Sequence, residues 1–151
     1  DITRVFPVSG IFSDEQKDLY NIVLETQSHV VKHVRPGMWI SNPQEQEASL
    51  HHIALAFLKQ HGYDKHMHHG IGHFLGLDVH DVGDRSIQLK KGDVITVEPG
   101  IYIPEKSVGI RIEDNYWVMD DGDAVCLSEQ IPKTVDEVEN LMQRDFEIDL
   151  G

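Results

Sequence analysis

Val94-Ile95-Thr96-Val97-Glu98-Pro99-Gly100-Ile101-Tyr102-Ile103-Pro104-Glu105-Lys106-Ser107-Val108-Gly109-Ile110-Arg111-Ile112-Glu113 is where this chain changes its period. Residues 94–98 are β-branched and extended. Residues 101–103 and 109–113 flank the turn-prone segment 104–107, which predicts a hairpin. Residues 115–119 extend its second strand, and Asp120-Asp121-Gly122-Asp123 reads as a turn. Upstream the spacing is helical. Ser13-Asp14-Glu15-Gln16 is a capping box, and Leu19, Ile22, Val23, Val30 and Val34 keep helical intervals as far as Pro36-Gly37. Asn42-Pro43 predicts a second helix, with Pro at its first position and Glu45 at its third. Leu50, Ile53, Ala54, Phe57 and Leu58 form its apolar face, and His61-Gly62 ends it. Residues 2–8 read as a strand. Residues 134–142 read as a short last helix capped by Thr134 with Glu137. A strand, two helices and then several strands predict an α+β fold, with helices on one face of a largely antiparallel sheet. No repeat or linker divides residues 1–151, which read as a single domain.

Composition narrows the function. The 151 residues carry 13 basic and 26 acidic side chains, a net charge of −13. That balance excludes the basic footprint that nucleic acid or an anionic membrane surface needs. Cys126 is the one cysteine, so no intrachain disulfide forms and a reducing, cytoplasmic setting is expected. Its apolar neighbours place it in the core. No apolar run approaches the roughly 18–20 residues that span a bilayer. No signal peptide is visible, and the start at Asp1 without methionine reads as a non-native start.

The chemistry concentrates in His68-His69-Gly70-Ile71-Gly72-His73-Phe74-Leu75-Gly76-Leu77-Asp78-Val79-His80-Asp81. Imidazole and carboxylate are the principal ligands for divalent metal, and histidine is also the commonest general acid or base. The glycines oppose a helix. In an extended segment His69 and His73 share one face and Phe74 the other. His68 reads as an ordinary surface or core group. Glu98 precedes Pro99, which holds it extended at the end of a buried apolar run. A carboxylate there is costly unless a cation answers it. Glu113 follows Ile110-Arg111-Ile112 with the same logic, and Arg111 shares its face. The plainer alternative is a structural ion pair between strands.

His69-Gly-Ile-Gly-His73-Phe-Leu-Gly-Leu-Asp-Val-His80-Asp-Val-Gly, Val97-Glu98-Pro-Gly-Ile-Tyr and Gly109-Ile-Arg111-Ile-Glu113-Asp, in that order, closely resemble the pita-bread metallopeptidases. Within that group they look most like the aminopeptidase P, or Xaa-Pro aminopeptidase, family. Asp1-Ile-Thr-Arg-Val-Phe-Pro-Val and the helix after it also match, so the resemblance covers nearly the whole chain. It implies the pita-bread (creatinase/aminopeptidase) fold with a curved sheet, of which the chain is expected to hold the C-terminal portion. It implies two divalent ions held by two aspartates, one histidine and two glutamates. Asp1, His73, Glu98 and Glu113 match four of these ligands; the first aspartate is expected upstream of Asp1. The oxygen-rich set favours Mn²⁺, with Co²⁺ or Zn²⁺ as alternatives.

The resemblance also implies the reaction. A metal-bridging hydroxide would attack the carbonyl of the N-terminal residue in a peptide with proline second. Glu98 would also handle the water's proton. His69 and His80 would donate to the oxyanion or the substrate carbonyl, and Arg111 would orient a carboxylate. The chain alone is expected to be nearly inactive. An Xaa-Pro dipeptidase (prolidase) on the same fold is the first alternative, and a non-catalytic pseudo-peptidase that binds partners is the second. A homo-oligomer stays open.

Overall fold

The hairpin predicted from residues 101–103 and 109–113 is longer than that reading, taking in 94–97 and 114–117, and it is split in the middle. In the computed structural model, which describes residues 1–82, 87–120 and 123–143, strands β1 (Val94–Val97) and β2 (Gly100–Ile103) form one arm. Strands β3 (Val108–Arg111) and β4 (Asp114–Trp117) form the other. Val97 pairs with Asp114 and Gly100 with Arg111, so the four strands keep one antiparallel register. The arms join through a 3-10 turn, Pro104–Lys106, after which Ser107 takes the left-handed conformation at φ 52°.

The split falls at Glu98-Pro99 on one arm and Ile112-Glu113 on the other. Pro99 has no N–H to give the ladder. Glu113 turns instead to Thr3, and each backbone N–H donates to the other's carbonyl, at 3.4 and 3.1 Å. The second arm therefore resumes as a separate strand, β4, rather than running on unbroken as the sequence reading has it. Strand β5 (Val125–Cys126), which the sequence did not reveal, pairs with β4. Residues 71–75 line the free edge of β1. The N–H groups of Thr96 and Glu98 donate to the carbonyls of His73 and Ile71 at 2.9 and 2.8 Å, and that of Leu75 donates to Val94 at 2.9 Å. The histidine-rich stretch is thus a margin of the sheet.

Period two sends Ile95, Val97, Ile101, Ile110 and Ile112 into the core. Helix α1 (Asp14–Val31) covers them with Leu19, Tyr20, Val23 and Val30. It starts at the predicted box, in which Ser13 and Gln16 cap one another. It stops at Val31, so Val34 is buried but lies outside it. Buried Gln27 donates from Nε2 to the carbonyls of Val97 and Ile112, at 3.0 and 3.2 Å. The helix thereby ties the two arms together where the ladder is broken.

Three expectations need correction. Residues 2–8 form no strand; only Thr3 bridges, and the chain turns where the Gly10 N–H donates to the Pro7 carbonyl. Helix α2 (Leu50–Gln60) does not begin at Asn42-Pro43. The Asn42 side chain accepts from the N–H groups of Gln44 and Glu45, which closes a local turn. A 3-10 turn, Gln46–Ala48, follows, and α2 starts only after Ser49. Cys126 is half-buried rather than fully in the core. The end of α2 at His61-Gly62 and the capping box of α3 (Val135–Met142) are as predicted. The predicted turn at 120–123 lies partly outside the described residues. Among the described residues no helix is long and apolar enough to cross a membrane.

Candidate metal centre

The face of the hairpin turned away from the isoleucines carries Thr96, Glu98 and Tyr102 from one arm. From the other it carries Arg111, Glu113 and Asn115. The shared register sets Glu98 and Glu113 opposite one another at the split. His73 from the sheet margin and Asp1 reach the same point. His73 Nε2 lies 3.3 Å from Asp1 Oδ2, 3.7 Å from Glu98 Oε1 and 3.9 Å from Glu113 Oε1. His73 is 6% exposed and Glu113 2%.

Two observations show that this donor set fits a divalent cation. His73 Nδ1 stands 2.9 Å from the Phe74 carbonyl. A carbonyl only accepts, so Nδ1 carries a hydrogen and Nε2 is the ring nitrogen turned toward the carboxylates, the arrangement of a histidine that ligates through Nε2. Three carboxylates drawn to one point repel one another unless a positive charge lies between. Glu113 Oε1 is also buried with no hydrogen-bond partner, a costly state that a cation would relieve. Ligand atoms of His73, Glu98 and Glu113 lie within 4.8 Å of one another, and those of Asp1, His73 and His80 form a second such group. Oxygen-rich donors with one or two imidazoles suit a hard or borderline ion.

His80 arrives by a route the sequence reading missed. The extended reading of 69–80 holds for residues 71–75 but not beyond. The Gly76 N–H donates to the Asp78 carbonyl, Asp81 Oδ2 accepts from the Leu77 N–H, and the Asp81 N–H donates to the Phe74 carbonyl. This loop folds His80 back against His73, edge to face at 4.3 Å between ring centres. A side chain at position 76 would collide with Asp81, its Cβ only 1.6 Å from Oδ2.

His69 does not reach the carboxylate cluster. Its Nδ1 donates to the Gly70 carbonyl, and its Nε2 accepts from the Tyr102 hydroxyl, both at 2.8 Å. Burial raises the Tyr102 pKa, against the pull of nearby Arg111. His68 stacks on Tyr102 and, with Ile40, His51, Met67 and His69, lines a cavity of about 310 Å³. Arg111 Nε donates to Thr3 Oγ1 at 3.1 Å. Among the described residues it pairs with no carboxylate, so the alternative of an interstrand ion pair is not realised.

Thr3, Arg4, Thr96, Tyr102 and Asp114 were missed. Thr96 and Tyr102 could have been found, because both lie two-residue steps from Glu98 on one strand face. Thr96 Oγ1 donates to Glu98 Oε1 at 3.3 Å and accepts from the His73 N–H at 3.1 Å. Asp114 also had a signal, being a charge on the core face of β4. It is fully buried and is answered by Arg4 at 2.7 Å, Lys133 at 3.1 Å and the Ser128 hydroxyl at 2.6 Å. Burial alone would raise its pKa, but the bonds from Arg4 and Ser128 hold it below the ordinary value. Arg4 carried no local signal. It also donates to the carbonyls of Glu113 and Pro132, at 2.7 and 2.8 Å, and so fixes the backbone behind the site.

The chain is similar to a Xaa-Pro aminopeptidase of Haemophilus influenzae, with 38% identity over 94% of this chain and 38% of the relative. Its structure is similar to that of zinc-substituted Escherichia coli aminopeptidase P in complex with product (TM-score 0.76, 36% identity, 94% of this chain and 37% of that one). It is also similar to that of the prolidase from Pyrococcus furiosus (TM-score 0.74, 39% identity, 87% of this chain and 37% of that one). The fold is accordingly the pita-bread fold of these enzymes, and the chain spans less than two-fifths of their length. Residues 1–120 match the family described as metallopeptidase family M24. With an imidazole and three carboxylates gathered on those same residues, the chain belongs to metallopeptidase family M24.

Proposed function

We propose that the protein containing this chain is a dinuclear metallo-aminopeptidase that removes the N-terminal residue from peptides with proline in second place. The observation that carries this reading is the convergence of Asp1, Glu98 and Glu113 on His73 Nε2, with Glu113 Oε1 buried and unpartnered. Asp1, His73, Glu98 and Glu113 would hold the ions, completed by a ligand from outside this sequence. Mn²⁺ suits the oxygen-rich set, with Co²⁺ or Zn²⁺ as alternatives. When bound, two divalent ions supply Lewis-acid polarisation of the carbonyl and a lowered water pKa.

The remaining steps belong to the chain's own side chains. Glu98 takes up the proton of the attacking water, its Oε1 steadied by the Thr96 hydroxyl. His80, exposed above His73, donates to the carbonyl oxygen as charge develops there. Both ring nitrogens of His69 are engaged, by Gly70 and Tyr102, so it donates to substrate only when Nε2 carries a hydrogen and has parted from Tyr102. Arg111 reaches the site through Thr3. The cavity beside His69 is the room that the described residues offer to the peptide chain.

The prolidase reading is the second one, favoured by the comparable similarity to the Pyrococcus furiosus structure. The test is the full-length, Mn²⁺-loaded enzyme with an Xaa-Pro-Xaa tripeptide and an Xaa-Pro dipeptide. Release of the first residue from the tripeptide, lost in Glu98→Gln, is expected. Cleavage of the dipeptide alone would transfer the assignment to a dipeptidase, and no cleavage of either would leave a pseudo-peptidase.

A further inference from the structure

We infer that Thr3 is the positioning residue that aims Glu113 at the metal site, an inference that rests on the metal-binding reading above. Thr3 is half-buried, and its backbone exchanges hydrogen bonds with that of Glu113. Its Oγ1 lies 2.6 Å from Glu113 Oε2 and 3.1 Å from Arg111 Nε. The hydroxyl has a single hydrogen, and a guanidinium can only donate. Thr3 therefore accepts from Arg111, and its one O–H points at Glu113 Oε2. The direction of this relay is fixed by donor count alone.

The consequence falls on the other oxygen of Glu113. With Oε2 held, the carboxylate cannot swing to satisfy Oε1 locally. Oε1 stays buried, without a partner, 3.9 Å from His73 Nε2. The backbone pairing sets the position of Glu113, and the hydroxyl sets its rotation. A valine at position 3 would keep the first and lose the second. A threonine here thus does what a generic β-former could not, and Arg111 acts on the metal site through it rather than by touching a ligand.

The test uses the full-length enzyme with Thr3→Val, Thr3→Ala and Thr3→Ser. Mn²⁺ affinity is read by competition with a chromophoric chelator, and the metal-free thermal midpoint by circular dichroism. Loss of an outer-shell partner typically weakens metal binding about 10- to 100-fold. That loss is expected in Thr3→Val and Thr3→Ala, while Thr3→Ser stays within a few-fold of the native enzyme. Native affinity in a folded hydroxyl-free variant would overturn the inference, as would an equal loss in Thr3→Ser. Failure of both hydroxyl-free variants to fold, with Thr3→Ser folded, would make the role structural and overturn it too. Absence of Mn²⁺ binding by the native enzyme would instead remove the metal-binding reading on which the inference stands.

Discussion

Glu98 and Glu113 occupy opposed positions of one antiparallel register, beside the place where its ladder thins to a single bond, from the Ile112 N–H to the Pro99 carbonyl at 3.3 Å. Like charges set opposite each other across strands are destabilising. The gap is kept open by Pro99, which has no N–H, and by Thr3, which takes the Glu113 backbone. This local conflict is what a binding site costs the fold. Removing one charge should relieve it. Glu113→Gln is expected to stabilise the metal-free protein by about 1 kcal/mol, the scale of an unsatisfied buried polar group. The same change should abolish tight Mn²⁺ binding. A drop in metal-free stability, measured by urea unfolding, would contradict the idea that Glu113 is held in strain.

Gln27 makes the complementary prediction. Its Nε2 answers the carbonyls of Val97 and Ile112, the residues just before the two glutamates. Pro99 has no N–H for the Ile112 carbonyl opposite it, so Gln27→Leu would leave that carbonyl buried and unpaired, whereas Val97 keeps its place in the ladder with Asp114. The expected loss is about 1–3 kcal/mol in denaturant unfolding, the scale of one unsatisfied buried group. A loss below about 0.5 kcal/mol, the range of an ordinary surface substitution, would mean that other groups hold the split.

The contrast between these residues explains what could be read from the sequence. Glu98 was legible because the apolar run and Pro99 mark a strand end. Glu113 and Arg111 were legible from the same alternation. Both capping boxes were legible because their geometry is local. Thr3 and Arg4 were not, because their roles depend on partners more than a hundred positions away. The start of α2 failed for a related reason. Asn42 and Pro43 suit a helix start, but the Asn42 side chain closes a turn instead, and pairing of Leu50 with the Trp39 carbonyl sets the true start. His80 needed the loop closed by Asp81, which no periodicity encodes.

Two glycines in the histidine-rich stretch should behave in opposite ways. A Cβ at Gly72 would stand 2.0 Å from the Thr96 carbonyl oxygen, within the backbone of β1. Nothing lies within 4 Å of a Cβ at Gly70. Gly72→Ala must push the sheet margin off β1 and carry His73 with it. It is expected to unfold the protein or cost more than about 3 kcal/mol, as overpacking against backbone can. Gly70→Ala should be nearly neutral, because any loss is offset by a less flexible unfolded chain. Equal thermal midpoints for the two variants would refute the close approach of 71–75 to β1.

Tyr20 predicts how the fold fails in alkali. Burial pushes its pKa up to about 12, and its hydroxyl donates to the Lys133 carbonyl at 2.8 Å. In the unfolded chain the phenol ionises near pH 10. A raised folded pKa means that the stabilisation is complete below about pH 10 and is lost as pH climbs toward 12. Tyr20→Phe removes that dependence, so its stability should fall less steeply over this window. Parallel alkaline unfolding of the two proteins, followed by circular dichroism and tyrosinate absorbance, measures the difference. Identical slopes would show that Tyr20 does not resist ionisation.

Metal removal should be read as a loss of stability as well as of activity. The cluster joins the sheet margin through His73, both arms through Glu98 and Glu113, and the first residues through Asp1. An ion bound there links four segments that only the folded state brings together. At a free-ion concentration 100 times the dissociation constant, such binding adds about 2.7 kcal/mol. For a catalytic domain of roughly 150–250 residues, each kcal/mol moves the thermal midpoint by roughly 2–4 °C. The full-length enzyme should thus melt roughly 5–10 °C lower after chelation. Adding Mn²⁺ should restore the midpoint. In His73→Ala, which removes the donor shared by both ligand groups, the midpoint should no longer respond to either treatment. A response of native size in that variant would place the stabilising ion elsewhere in the protein.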